Sequence, residues 1–330
     1  MDIPRSPIHA PDFVANSLNA GTIDTETLRN RVVLIDFWDY TCVNCIRTLP
    51  YVIGWDRKYR DSGLTVLGIH APEFSFAHAE DLVRGAIDRF GIEYPVILDN
   101  QYQIWQAYAN QYWPAKFLID GKGYLRLRHF GEGAYREMET SIQELLRELD
   151  PGYANPELLP LLRETDQPGA VCYPTTPELY LGFRRGRLAN SEEFQEGRSF
   201  DYTPPLTQPE HSVALTGEWF SAPEFVAHMG DAEGRIVVRY SATEVNMVLA
   251  PQQDEAVTVD VLQDGQPLPV DAAGDDVRHG QLLVNQPRMY SIVRNSGHGE
   301  HTLELVSRSA GPEAYALTFG SCVQSVVSGS

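Results

Sequence analysis

Lysine is almost missing from this sequence: three among 330 residues, against 23 arginines. That skew reads as a base-composition bias of the genome. Basic charge as a whole is scarce, with 26 Lys and Arg against 45 Asp and Glu and a formal net charge of −19. A nucleic-acid ligand needs a basic face to meet its phosphates, so DNA and RNA are excluded as main partners. Long apolar runs are missing too. None approaches the roughly 20 residues of a membrane helix, so no membrane segment is expected. The opening stretch, MDIPRSPIHAPDF, lacks the basic cap and apolar run of a secretory signal. Read as it stands, the chain is expected in the cytoplasm; trimmed from a longer precursor, it is expected in the periplasm or outside the cell. Cysteine is sparse, at four residues, too few for a disulfide-built scaffold. The 43% hydrophobic content is that of a globular chain, and the length suggests two domains.

The two halves use different grammars. Residues 1–150 alternate short apolar runs with helical periodicity. Val32–Trp38 and Leu64–Ile69 read as buried strands, and Pro95–Leu98 and Lys116–Ile119 as shorter ones. Cys45–Tyr59, Ala77–Phe90 and Glu137–Leu149 read as helices. Gly121-Lys122-Gly123 turns the chain into a strand over Tyr124–Phe130. This is an α/β domain with a partly parallel sheet. Residues 151–175 read as a linker, with a short helix at Pro156–Arg163. Residues 176–330 read as a β-sandwich of jelly-roll type, with period-two strands at Arg235–Tyr240, Glu244–Leu249, Thr258–Val261, Met289–Val293, His301–Val306 and Tyr315–Phe319. Residues 184–210 read as a long surface loop.

The pair that carries chemistry is Cys42-Val43-Asn44-Cys45. A structural zinc site wants four ligands, and the other two cysteines stand alone and far away. This pair follows a buried strand and opens a helix within a β-α-β pattern, which is the context of redox work. Cys42 falls at the helix N-terminus, where free N–H groups favour a thiolate, the nucleophile of disulfide exchange. Cys45, one turn in, is shielded and acts second. No metal and no cofactor are expected.

Around the pair the sequence resembles the thioredoxin fold. Asp36 precedes Cys42 by six positions, Pro50 follows it by eight, and Trp113-Pro114 stands just before a strand. WDYTCVNCIRTLPYV and GIHAPEFSF resemble the TlpA/DipZ-like branch of thiol–disulfide oxidoreductases. The resemblance implies a nucleophilic Cys42, a resolving Cys45, a buried Asp36 that accepts the Cys45 proton, and a cis Pro114 that faces the disulfide and holds substrate backbone. Against these stand an ordinary strand-end acid and a plain loop proline. Trp38, Tyr40, Trp113, His70 and Glu73 are expected at the substrate rim; the alternative for Trp38 and Tyr40 is plain core, and His70 and Glu73 read equally as ordinary polar loop residues. Asp39 reads as an exposed loop charge. In DipZ-type proteins the resembling module is fused to a membrane electron-transfer domain, so the electron donor for these residues is left unidentified.

The β half resembles the C-terminal module of DipZ-type proteins, a jelly roll similar to carbohydrate-binding modules. The resemblance lies in Pro177–Gly182, Leu215–Trp219 and Tyr315–Gly320. It implies a glycan ligand, with Trp219, Tyr180, Tyr240 and Tyr290 stacking on sugar; the same aromatics read more simply as core. If the strand at Tyr180 pairs antiparallel with the strand at Ala314, Cys172 and Cys322 fall opposite each other, as a second disulfide or as two buried thiols. His298-Gly299-Glu300-His301 reads as a loop leading into a strand, and Arg184–Arg187 as salt-bridged surface. The expected function is disulfide exchange with protein substrates, in the direction of reduction. The alternatives are a peroxiredoxin-like peroxide reductase, or a glycan- or protein-binding module on a thioredoxin scaffold.

Overall fold

A computed structural model describes residues 8–324. The chain forms two compact units, divided between Leu162 and Arg163. No helix among the described residues is long and apolar enough to cross a membrane.

The first unit contains β1 (Val14–Ser17), β2 (Gly21–Asp24), β3 (Val32–Trp38), α1 (Val43–Tyr59), β4 (Leu64–His70), α2 (Glu80–Phe90), β5 (Val96–Leu98), α3 (Gln103–Ala107), β6 (Ala115–Ile119), β7 (Leu125–Phe130) and α4 (Tyr135–Leu149). Its seven strands run in the order β2-β1-β5-β4-β3-β6-β7. The centre, β3 with β4 and β4 with β5, is parallel. The flanks, β3 with β6 and β6 with β7, are antiparallel. Every residue of β3 is buried, as a central strand covered on both faces requires. Alternation splits its side chains. Val32, Leu34 and Trp38 join a core with α1, α2 and α4, while Val33, Ile35 and Phe37 join a second core with Ile104 and Trp105 of α3. Asp36 shares its parity with Val32, Leu34 and Trp38, so it points under α1.

The helix expected at Pro156–Arg163 does not form. Side chains of the first unit bind its backbone groups instead. The buried Glu139 carboxylate accepts the Leu159 N–H through both oxygens, at 3.0 and 2.9 Å. Gln143 Nε2 donates to the Pro156 carbonyl at 2.8 Å, and the Leu162 N–H donates to Tyr51 Oη at 2.6 Å. These bonds take up N–H and C=O groups that a helix would have paired i→i−4.

The second unit is all β: β8 (Ala170–Cys172), β9 (Leu179–Tyr180), β10 (Ser199–Tyr202), β11 (Ser212–Ser221), β12 (Val226–His228), β13 (Gly234–Ala250), β14 (Val257–Gln263), β15 (Gln266–Pro267), β16 (Val277–Arg278), β17 (Gln281–Val284), β18 (Arg288–Ser307), β19 (Glu313–Gly320) and β20 (Cys322–Gln324). The separate strands expected at Arg235–Tyr240 and Glu244–Leu249 are one long strand, β13, and those at Met289–Val293 and His301–Val306 are one long strand, β18; the two pair along most of their length with irregularities near Ala242–Asn246. β13 also pairs first with β11 and then with β19. Since β11 pairs with β12 and β12 with β19, these four strands close on themselves, giving a barrel- or sandwich-like body.

Two further expectations change here. His298–His301 is strand, not loop: His298 Nε2 lies 2.9 Å from the Pro174 carbonyl, and His301 Nδ1 2.8 Å from Asp264 Oδ2. The long loop at 184–210 includes β10 and is pinned by the buried Asn190, whose amide bonds the Thr203 and Leu215 backbone.

Cys172 and Cys322 face each other in the β8–β20 pair and form a disulfide. The neighbouring register differs from expectation by two residues, with Tyr180 opposite Ala316. Trp219, Tyr240 and Tyr290 are in the core, so their faces are not open for stacking on a sugar. Tyr180 is half-buried, and Arg185 lies over its ring at 3.5 Å.

Candidate active site

Cys42 caps α1. Its backbone is extended, at φ −84° and ψ 113°, and its Sγ accepts the Cys45 N–H at 3.2 Å. The Ile46 N–H bonds the Cys42 carbonyl at 3.0 Å, the first turn of the helix. A helix N-terminus leaves N–H groups without intrahelical partners, and here one of them faces sulfur. Both cysteines are thiols; Cys42 is half-buried and Cys45 fully buried. Burial pushes the Cys45 thiol well up, and the hydrogen bond and charge of Cys42 add to that; a backbone hydrogen bond from Asp39 works the other way, and Asp36 raises it further. Cys45 therefore stays protonated, and Cys42 is the accessible sulfur. Pro50 lies inside α1, where it donates no backbone hydrogen bond.

Asp36 and Lys116 are directly opposed across β3 and β6. Both are almost wholly buried, and Lys116 Nζ lies 3.3 Å from Asp36 Oδ1. Burial raises the Asp36 carboxyl above its ordinary range, opposed by the charge and hydrogen bond of Lys116. The sequence reading placed Asp36 and missed Lys116. The available signal was a lysine inside the apolar strand AKFLI. Gly68, opposite Asp36 in β4, leaves room here: a Cβ would come within 3.0 Å of Tyr94 and 3.1 Å of the Trp38 indole nitrogen.

The Trp113–Pro114 peptide bond is cis. Pro114 is buried at the start of β6, beside the end of β3 from which the chain runs on to Cys42. Trp113 is half-buried and donates its Nε1–H to the Ala71 carbonyl at 3.0 Å.

Three of the expected rim residues are not at a rim. Trp38, Tyr40 and His70 have relative exposures of 0%, 1% and 0%. Trp38 and His70 end adjacent parallel strands and pair in register, so both are drawn under α1. The His70 ring meets Trp38 edge-on and stacks on Tyr40, at 5.4 and 5.5 Å. Glu73 is half-buried.

Asp39 is the sharpest correction. It is buried, not an exposed loop charge. Its Oδ1 accepts the Thr41 N–H at 2.8 Å and the Thr41 hydroxyl at 2.9 Å, and Oδ2 accepts the Glu73 N–H at 2.5 Å. His70 Nε2 lies 3.7 Å from Oδ1. Burial works to raise the Asp39 carboxyl, but His70 and the two backbone N–H groups together hold it below the ordinary range. The Asp-x-Thr spacing of an Asx-turn was the signal for this role.

This is the site of a thioredoxin-fold domain related to DipZ and to the thiol–disulfide oxidoreductase ResA, joined to a second, all-β domain. The AhpC/TSA family profile matches residues 8–128, and the profile described as "Thioredoxin like C-terminal domain" matches residues 176–320. Protein DipZ of Mycobacterium tuberculosis is 36% identical over 303 residues, 90% of this chain. The chain spans 40% of that protein's length. Thiol-disulfide oxidoreductase ResA of Bacillus anthracis is 26% identical over 136 residues, 41% of this chain and 76% of ResA. Among solved structures, a thiol:disulfide interchange protein of Chlorobium tepidum matches at a TM-score of 0.39 and 18% identity, covering 43% of this chain and 99% of its own.

Proposed function

We propose that the protein reduces disulfide bonds in protein substrates through Cys42 and Cys45. The carrying observation is the asymmetry of the pair: a half-buried Cys42 facing a helix N–H, and a buried Cys45 whose proton is held tightly. The Cys42 thiolate attacks one sulfur of the substrate disulfide. That S–S bond breaks, a mixed disulfide forms, and the other substrate sulfur leaves as a thiolate and takes a proton. Cys45 then gives its proton to the Asp36 carboxylate and attacks Cys42 Sγ. The Cys42–Cys45 disulfide forms and the second substrate thiol is released. The substrate gains two electrons and the pair loses two, which a dithiol electron donor returns. Pro114, cis and beside the active-site loop, holds the substrate backbone, and Trp113 and Glu73 border it.

The compartment we propose is extracytoplasmic. The Cys172–Cys322 disulfide and the similarity to DipZ support an oxidising setting. Direct peroxide reduction is not favoured, because the Thr41 hydroxyl is bound to Asp39. The β unit serves for docking, and the burial of Trp219, Tyr240 and Tyr290 speaks against sugar stacking by these three.

Trapping tests the function. A Cys45→Ser variant, incubated with oxidised protein, should accumulate mixed disulfides at Cys42. Their absence would overturn the reading.

A further inference from the structure

Residue 39 meets the cysteine pair through its backbone. Its carbonyl accepts the Cys42 N–H at 3.2 Å, and Cys42 Sγ in turn accepts the Cys45 N–H at 3.2 Å. Whatever fixes residue 39 therefore helps to hold the start of the helix that carries the pair. Its side chain is fixed from three directions. Thr41 holds one oxygen through its N–H and hydroxyl, the Glu73 N–H holds the other, and His70 sits below at 3.7 Å. His70 is itself immobilised between Trp38 and Tyr40, and its carbonyl accepts the Asp99 N–H at 2.8 Å.

We propose that Asp39 and His70 are positioning residues for the Cys42–Cys45 pair. The proposal rests on the thiol–disulfide reading above and adds to it the device that keeps Cys45 aimed at Cys42. Pairing a buried carboxylate with a polar neighbour often stabilises no more than apolar residues of equal volume would. What such a pair supplies is direction. The carboxylate ties the loop that carries Cys42 to the loop at 71–73, and His70, at the end of β4, lies 3.7 Å from it. The attack of Cys45 on the mixed disulfide is intramolecular, so its rate depends steeply on how the two sulfurs are held. The first attack, by Cys42 on substrate, is bimolecular and depends on this less.

The experiment compares the two steps in the full chain. Asp39→Asn keeps the size and an acceptor for Thr41 but loses an acceptor for the Glu73 N–H. His70→Gln removes the ring that braces the carboxylate. Both are made beside Asp39→Ala, so that a failure of the alanine variant to fold does not end the test. Folded fraction is read by circular dichroism. Mixed-disulfide formation and its resolution are read separately by stopped flow and acid quench, with oxidised glutathione as substrate. In folded Asp39→Asn and His70→Gln, formation should stay within about threefold of the parent. Resolution should slow at least tenfold, so that the mixed disulfide accumulates. Resolution within twofold of the parent in both variants would overturn the proposal. So would an equal fall in both steps matching the folded fraction, which is what a merely structural role produces. A parent that forms no mixed disulfide at all would overturn the thiol–disulfide reading, and this proposal with it; a cycling parent with unchanged variants overturns the positioning role alone.

Discussion

Lys116 Nζ sits 3.3 Å from Asp36 Oδ1 on a buried rung between β3 and β6, beneath the helix that carries both cysteines. In the proposed mechanism, the pair sets how readily Asp36 gives and takes a proton. Lys116→Met leaves the carboxylate buried without its counter-charge, so the Asp36 pKa rises further. Less of it is ionised at pH 7, and resolution by Cys45 should slow by about tenfold there and recover as pH rises. Resolution rates from pH 6 to 9 check this; an unshifted profile would show that Asp36 is not the acceptor.

Asp36→Asn removes the acceptor altogether. Resolution should fall by roughly 10² at neutral pH, in the range for loss of a general base. Formation of the mixed disulfide should change little, because Cys42 does not hand its proton to Asp36. Single-turnover kinetics with a disulfide substrate separates the two steps.

Asp39 makes a stability prediction with a definite sign. Its folded-state pKa is depressed below 3.8 by His70 and two backbone N–H groups acting against burial. Its contribution is therefore fully present above the unfolded pKa and is lost as pH falls through the folded value. Asp39→Asn should cost about 2–4 kcal/mol at pH 7, and the gap to the parent should close as pH drops below 3.8. Urea denaturation at pH 7 and at a series of pH values below 3.8 follows the gap as it closes.

The Cys172–Cys322 disulfide closes a loop of 150 residues. Chain-entropy arguments give such a link about 4–5 kcal/mol. Paired Cys172→Ser and Cys322→Ser substitutions should lower stability by about that amount without removing Cys42–Cys45 chemistry. Guanidinium unfolding and an exchange assay on the same variant test the two halves of the statement.

Strand type in the first unit was legible because β3, β4 and β6 are covered on both faces and read as short, mostly apolar runs. Cys42, Cys45 and Asp36 could be located because their positions at the strand end and helix start follow from local spacing. Lys116 could not, since its partner lies eighty residues away and only register brings them together. Asp39 and His70 were misplaced for a related reason. A charge beside a turn is usually solvated, and only the parallel pairing of Trp38 with His70 closes the space around them. The Pro156–Arg163 helix failed because Glu139, Gln143 and Tyr51, distant in sequence, bind that backbone. In the second unit, β13 and β18 looked broken because polar and glycine residues interrupt their patterns, while pairing on both sides of β13 carries the strand through.

The most direct test is the reduction potential of Cys42–Cys45, read by equilibration in thiol redox buffers and mass analysis of alkylated cysteines. The account predicts one reversible two-electron couple near or below about −270 mV, the range of a reductase. A couple at about −120 to −180 mV would contradict the reducing direction, and no reversible couple would contradict the oxidoreductase itself.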